Sequence, residues 1–267
     1  MLHPFFASSR PLIFAHRGGA GLAPENTIEA FDRGLALGAD GIELDVRLSR
    51  DGIVVVHHDR TLDRTTNQCG NVADFTADEL ARADAGYRFT RNGGFPFRGC
   101  GIGVPTLGSV LSRYRDCRIA IEMKINSREF ARRVIEAVRH ADAVERVCLG
   151  SFGRRVLRAA RAIESAIVTS AAREEVRWAL YRSWCGWPVS RPAYAGYQVP
   201  ELAGATRVVS PQFLNAAHHA GLGVQVWTVD SESDAARLLD WGADGLISDR
   251  PDVIVPLVRN RGPAGSR

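Results

Sequence analysis

Alternation limits what this chain can fold into more than any other feature. Short apolar runs bounded by Gly, Pro or Asp recur along it, with amphipathic stretches between nearly all of them. Such alternation calls for a parallel α/β sheet. Nine runs read as strands: 12–16, 41–48, 53–58, 119–124, 147–152, 166–170, 207–210, 223–229 and 245–248. That is one too many for an eight-stranded barrel. Only Ser49-Arg50-Asp51-Gly52 separates the second run from the third, and a parallel crossover needs about a dozen residues. Asp-Gly is instead a favoured hairpin turn. The third run therefore returns antiparallel from the barrel rim and carries His58 back toward it. Eight parallel strands remain, the count of a TIM-type (β/α)8 barrel with a β-hairpin extension after strand two, a fold of about 250 residues.

The stretches between the strands fit helices. Asn26 is placed to cap the first, with Glu29 as its reciprocal partner. Ile28, Phe31 and Leu35 mark the buried face, and Gly38 is the stop. Further helices are expected over 128–140, 154–163, 174–182, 211–220 and 232–241. The span 60–106 interrupts the alternation and reads as an insertion over the barrel mouth. Its Gly-rich part, DAGYRFTRNGGFPFRGCGIG, carries aromatics and Arg98, for which packing within the insertion is favoured over lining the entrance. The expected organisation is one barrel domain over 1–258, insertion included, and a disordered tail over 259–267 rich in Arg, Gly and Pro.

Of 267 residues 45% are hydrophobic, enough for a sizeable core. The net charge of +4 is spread without a Lys/Arg cluster, which suits anionic small molecules and argues against nucleic acid. No apolar run reaches the ~20 residues of a membrane span, and MLHPFFASSR lacks the pattern of a signal peptide. The five cysteines include no CxxC pair, as in a protein with reduced thiols and no zinc site. A soluble cytoplasmic protein is expected.

In such a barrel, functional groups gather where strands end. His16 and Arg17 close the first run and stand directly before Gly18, Gly19 and Gly21, a floor suited to phosphate. Glu25 and Asn26 follow within the same motif. Glu43 and Asp45 are two apart and project from one strand face, as do Glu122 and Lys124. Trp227 lies near the end of VQVWTV. Three carboxylates in one mouth repel: at about 4 Å each pair costs about 4 kcal/mol for an effective dielectric of about 20. Either their pKa values rise or a cation sits among them. All-oxygen ligation without cysteine favours Mg²⁺ or Ca²⁺, with Mn²⁺ as a third option. Each group alone has a plainer explanation: an ion pair, a core histidine, a tight turn. Five strand ends carrying such groups together make coincidence the poorer account.

The segments HRGG…PENT, GADGIELDV, DGIVVVHHD, LDRTT…G, IEMK, VWTVD and GADGLISDRP resemble, in order, the signature of the glycerophosphodiester phosphodiesterase family. The resemblance covers roughly residues 11–252. It implies a TIM-like barrel and metal-dependent hydrolysis of a small-molecule glycerophosphodiester to an alcohol and glycerol 3-phosphate. It further implies one divalent cation on Glu43, Asp45 and Glu122, acid/base roles for His16 and His58, and phosphate contacts from Arg17 and Lys124. Trp227 is assigned to substrate binding, and Glu25 and Asn26 to support.

A metal with Arg17 and Lys124 would offset the phosphodiester charge, and two histidines suit the two proton transfers. No Ser or Cys nucleophile stands among the motifs, so the substrate's own glycerol hydroxyl is expected to attack first, giving a cyclic phosphate that water opens. His57 faces away from His58 on a strand and is read as structural. One departure is VPTLGSVL, where Gly108 and Ser109 replace two acidic residues usual in the family. Two rival readings remain: lysophospholipase D-like cleavage on the same site, and a non-catalytic phospholipid- or phosphate-binding barrel. Residues 178–187, WALYRSWCGW, are expected to pack on the barrel; the alternative is an interfacial patch touching a membrane.

Overall fold

The computed structural model describes residues 2–190 and 192–261. Its strands in chain order are β1 (Leu12–Ala15), β2 (Gly41–Leu48), β3 (Val54–Val56), β4 (Arg118–Met123), β5 (Val147–Gly150), β6 (Val168–Thr169), β7 (Gly196–Pro200), β8 (Leu202–Ala203), β9 (Thr206–Arg207), β10 (Gly223–Trp227) and β11 (Gly245–Ser248). The helices are α1 (Ile28–Ala36), α2 (Ala77–Arg82), α3 (Leu107–Arg113), α4 (Arg128–His140), α5 (Arg154–Ile163), α6 (Arg173–Trp184), α7 (Pro211–His219), α8 (Glu232–Asp240) and α9 (Pro251–Asn260).

Eight strands lie side by side in parallel, in the order β6-β5-β4-β2-β1-β11-β10-β7. The two ends of this order meet at a parallel bridge between Ser170 and Gly196, where Ala171 N–H donates to the Gly196 carbonyl at 3.0 Å. The result is a nearly closed TIM-type barrel. β3 lies outside it, antiparallel to β2 with Val46 opposite Val56, as the short Asp-Gly link requires.

Helix α4 illustrates how the outer layer forms. Ser127 caps it by accepting from Phe130 N–H at 3.1 Å. Phe130, Ala131, Val134, Ile135 and Val138 recur at helical spacing and are buried, so this stripe faces the strands while the arginines of the other face meet solvent. Inside the barrel Phe5, Phe6, Leu12, Phe14, Ala120, Cys148, Val168 and Ile247 pack as one cluster. The N-terminal segment thus plugs the end of the barrel where the strands begin. Room for it comes from glycine: a Cβ on Gly196 would lie 2.7 Å from the Phe6 ring, and one on Gly223 2.6 Å from the Phe6 Cβ.

Several expectations change. The sixth barrel strand is β7, not 207–210. In AYAGYQVP only Tyr197 and Val199 are fully buried side chains, while Gln198 turns inward and donates to Gln225 at 2.9 Å. Gly at one end, Pro at the other and a polar centre hide the strand from an apolar-run search. The pair Val208-Val209 misled for the opposite reason: it is buried, but it leads straight into α7, capped by Ser210. The cap of α1 is Thr27, whose hydroxyl accepts from Ala30 N–H at 3.2 Å, and Asn26 is used elsewhere. Helix α9 runs to Asn260, two residues into the segment expected as a tail; residues 262–267 lie outside the described residues. Gly108 and Ser109 fall in the first turn of α3, where Ser109 N–H donates to the capping Thr106.

The insertion builds its own small core from Leu62, Val72, Ala77, Leu80, Ala85 and Val104 against Val55. Arg98 stacks over Phe95 and Tyr87, at 3.5 and 4.3 Å from their ring centroids. The aromatics of α6 do not pack on the barrel. Ala179, Leu180 and Ser183 fill that role, and Trp178, Tyr181 and Trp184 face outward.

Candidate active site

A cavity of about 750 Å³ opens at the end of the barrel where the strands finish. Its floor is set by strand register. β2 and β4 pair with Asp45 opposite Glu122 and Glu43 opposite Ala120. Side chains alternate along a strand, so all three carboxylates share the inner face. One oxygen from each lies within 4.8 Å of the others.

The crowding is met by cations. Lys124, directly after β4, places Nζ 2.8 Å from Asp45 Oδ1 and 3.1 Å from Glu122 Oε1. Arg17 Nε approaches Asp45 Oδ2 at 3.3 Å. Burial pushes the Glu43 carboxyl up to about 7, and the neighbouring Asp45 charge adds to it. Asp45 moves the other way: burial opposes, but Lys124 and Arg17 outweigh it and hold this carboxyl below the usual range. Asn26, at φ 59°, clasps Asp45 by donating from its amide to Oδ2 at 2.9 Å and accepting Asp45 N–H at 3.1 Å. That clasp is why Asn26 does not cap α1.

Glu122 Oε1 is buried and makes no hydrogen bond; its contact with Lys124 is an ion pair without hydrogen-bond alignment. That oxygen shares the Lys124 ammonium with Asp45, which leaves its charge incompletely offset. Together with an inward-facing set of oxygen ligands, it fits a hard divalent cation and no soft one.

The two histidines are each held by a carboxylate. His16 follows β1 in a tight turn with Arg17 at φ 50°. Its Nδ1 lies 2.7 Å from Asp249 Oδ1 and its Nε2 3.8 Å from Glu43 Oε2. Burial alone would lower the His16 pKa, but the charge of Glu43 and the bond to Asp249 outweigh it, so the ring titrates above its ordinary value. Asp249 is braced in turn: its N–H donates to Asp230 at 2.8 Å. His58 Nδ1 lies 2.6 Å from Asp59 Oδ1. Arg64 donates to Asp59 Oδ2 at 2.6 Å and to both Glu25 oxygens at 2.6 and 2.7 Å, while Arg17 donates to Glu25 at 2.9 Å. A continuous chain Arg17–Glu25–Arg64–Asp59–His58 therefore ties the β1 turn to the hairpin. Its central link comes from the insertion, which contributes no residue to the cavity wall among the described residues.

Seven of the expected site residues line the cavity: His16, Arg17, Glu43, His58, Glu122, Lys124 and Trp227. Asp45 lies beneath them, buried, with Asn26 behind it, and Glu25 stands behind Arg17. Trp227 ends β10 and meets Phe152 edge-on, ring centroids 6.1 Å apart. His57 turns away, with Nε2 3.0 Å from the Thr61 carbonyl. Asp249, Asp59 and Arg64 sit within the motifs but carried no assignment from sequence; Asp249 directly follows β11 and Asp59 lies three places past β3, whereas Arg64 lies within the insertion and follows no strand end. Phe152, Arg173 and Arg177 also line the cavity and belong to no motif.

Residues 16–253 match the glycerophosphoryl diester phosphodiesterase family. A glycerophosphodiester phosphodiesterase of Caldanaerobacter subterraneus is 34% identical over 258 residues, covering 95% of this chain and 100% of that one. A crystal structure of a glycerophosphodiester phosphodiesterase from Agrobacterium tumefaciens is 29% identical with a TM-score of 0.74, covering 92% of this chain and 99% of that one. A phosphodiesterase from Oleispira antarctica, solved with the product sn-glycerol-3-phosphate, is 27% identical with a TM-score of 0.75, covering 94% and 97%. With a matching model over nearly its whole length and relatives matched end to end, the chain belongs to the glycerophosphoryl diester phosphodiesterase family and is an enzyme of that family.

Proposed function

We propose that this chain hydrolyses glycerophosphodiesters to an alcohol and glycerol 3-phosphate, using one divalent cation and two histidines, within a catalytic unit spanning residues 1–258. The observation that carries the reading is the carboxylate set Glu43, Asp45 and Glu122, one oxygen of each within 4.8 Å of the others, between two histidines that each lean on a carboxylate. Such a cation, Mg²⁺, Ca²⁺ or Mn²⁺, supplies charge neutralisation at the phosphoryl oxygens when bound.

The rest of the work falls to the chain itself. Arg17 and Lys124 bind the phosphate and stabilise the charge that builds on it. His16 and His58 each expose Nε2, because Nδ1 is committed to Asp249 or Asp59. One takes the proton of the attacking hydroxyl and the other protonates the departing alcohol. The attacking group is the substrate's own glycerol 2-hydroxyl: its oxygen bonds to phosphorus as the bond to the alcohol oxygen breaks. Water then opens the resulting cyclic phosphate. In favour of this route, no cysteine lines the cavity among the described residues. Trp227 forms the wall against which the substrate lies.

The test is glycerol 3-phosphate release from glycerophosphocholine, after EDTA and then with each added ion, for the wild type, His16→Ala and Glu43→Ala. Activity restored by an ion and lost in both variants is the expected result. Release that persists in EDTA, or in Glu43→Ala, overturns the metal assignment. Fast-quench phosphorus NMR without a cyclic phosphate overturns the internal attack.

A further inference from the structure

Helix α6 presents a strip of aromatic rings to solvent. Trp178, Tyr181 and Trp184 are 69%, 53% and 52% exposed, and Trp187, just past the helix end, is 65% exposed. Tyr181 meets its two neighbours edge-on, with centroids 6.4 and 5.4 Å away, so the strip is continuous. A surface of this kind marks a partner or a membrane.

Three observations favour a lipid surface. The strip is continuous with the catalytic cavity: Tyr181 and Trp184 are part of its wall, and Val176, Leu180 and Val208 extend that wall inward. A second copy of the chain seated here would cover the entrance, whereas a bilayer would deliver substrate to it. The residues are Trp and Tyr, whose apolar rings with one polar edge suit the headgroup boundary. Arg173, Arg177 and Arg182 are exposed on the same helix, and none forms a carboxylate pair among the described residues. Arg173 stacks over Phe152 at 4.8 Å at the cavity wall, and Arg182 donates to the Pro188 carbonyl at 2.8 Å. Guanidinium groups beside exposed aromatics complement anionic headgroups. The β8–β9 hairpin, whose Ala203 and Thr206 also line the cavity, adds the exposed Leu202. Among the described residues no helix is long and apolar enough to cross a membrane.

We propose that α6 and the β8–β9 hairpin dock on an anionic lipid surface, from which the cavity draws a monoacyl glycerophosphodiester. The phosphodiester reaches the carboxylate cluster while the acyl chain lies along Val176, Leu180 and Val208. The substrate half of this proposal rests on the catalytic reading above; the docking half does not.

The experiment compares the wild type with the double variant Trp178→Ser/Trp187→Ser, neither position lining the catalytic cavity. Both proteins are sedimented with vesicles of phosphatidylcholine and phosphatidylglycerol and assayed on lysophosphatidylglycerol in those vesicles and on soluble glycerophosphoglycerol. The wild type is expected to sediment with the vesicles and to cleave the lysolipid. In the double variant both should fall about tenfold or more, with soluble turnover retained. A wild type that ignores the vesicles, or a double variant that binds them equally, overturns docking. Docking without lysolipid cleavage overturns the delivery of substrate. A wild-type dimer in sedimentation velocity that the double variant abolishes assigns the strip to a second copy instead. Wild type inactive on soluble diester with vesicle binding intact defeats the catalytic reading and leaves docking standing.

Discussion

His16 and Asp249 lie 233 residues apart in sequence and 2.7 Å apart in the barrel, Nδ1 to Oδ1. Asp249 fixes which ring nitrogen of His16 faces the cavity and raises the pKa of the ring. In the proposed reaction, Asp249→Asn is expected to lower kcat about 10- to 100-fold, the usual cost of losing a group that orients a catalytic one. His16→Ala should cost about 10²- to 10⁴-fold. The sign of the pH effect follows from the same contact. Removing a group that raises the His16 pKa moves the limb belonging to His16 to lower pH, which a profile of kcat/KM between pH 5 and 9 checks.

Glu43 titrates at about 7 because burial and the Asp45 charge both disfavour its anion. A cation needs that anion, so binding below pH 7 must release a proton. Calorimetric titration of Mg²⁺, Ca²⁺ or Mn²⁺ in buffers of different ionisation enthalpy should report proton release at pH 6 that vanishes by pH 8.5. Affinity should rise with pH across the same window. In the metal-free protein the linkage has the opposite consequence. A carboxyl raised above its unfolded value contributes stability that is complete below about 4.5 and lost as pH rises through about 7. Urea midpoints measured with and without the ion should therefore diverge on the alkaline side.

Asn26 and Thr27 are adjacent yet do different work. Thr27→Ala removes the cap of α1 and is expected to cost about 1 kcal/mol of stability with metal affinity unchanged. Asn26→Ala removes both hydrogen bonds to Asp45 and should cost about 1.5–3 kcal/mol. It should also weaken metal binding about 10- to 100-fold, since a ligand's own orientation is lost. Equal effects of the two substitutions on metal affinity would contradict this division.

Phe6 fills the end of the barrel opposite the cavity, against Gly196 and Gly223. Phe6→Ala is expected to destabilise by about 3–5 kcal/mol in urea unfolding. Gly223→Ala forces a Cβ to within 2.6 Å of Phe6 and should also destabilise, through overpacking. Turnover per folded molecule should stay unchanged in both, because neither residue lines the cavity.

The residues that cluster at the mouth were legible because strands translate spacing directly into geometry. Two carboxylates two residues apart share a face whatever the rest of the chain does, and the four-residue link after Leu48 leaves only a hairpin. The strand β7 was not legible, since its burial comes from Tyr197 packing on Phe213 at 5.0 Å and Gln198 pairing with Gln225, partners distant in sequence. The same holds for the surface of α6. Spacing places Trp178, Tyr181 and Trp184 on one face, but which face meets the barrel depends on Ala179, Leu180 and Ser183 finding room there.

The sequence by itself determined the barrel, the hairpin after its second strand and the residues that gather at the mouth, because hydrophobic period and strand alternation are local properties of the chain. Only the tertiary structure decided the contacts that give those residues their chemistry: Asp249 on His16, Asn26 on Asp45, Arg64 between Glu25 and Asp59, and the register that sets Asp45 beside Glu122. Charge interactions depend on distance and burial across the whole fold, and neither is written in the spacing of residues along one chain.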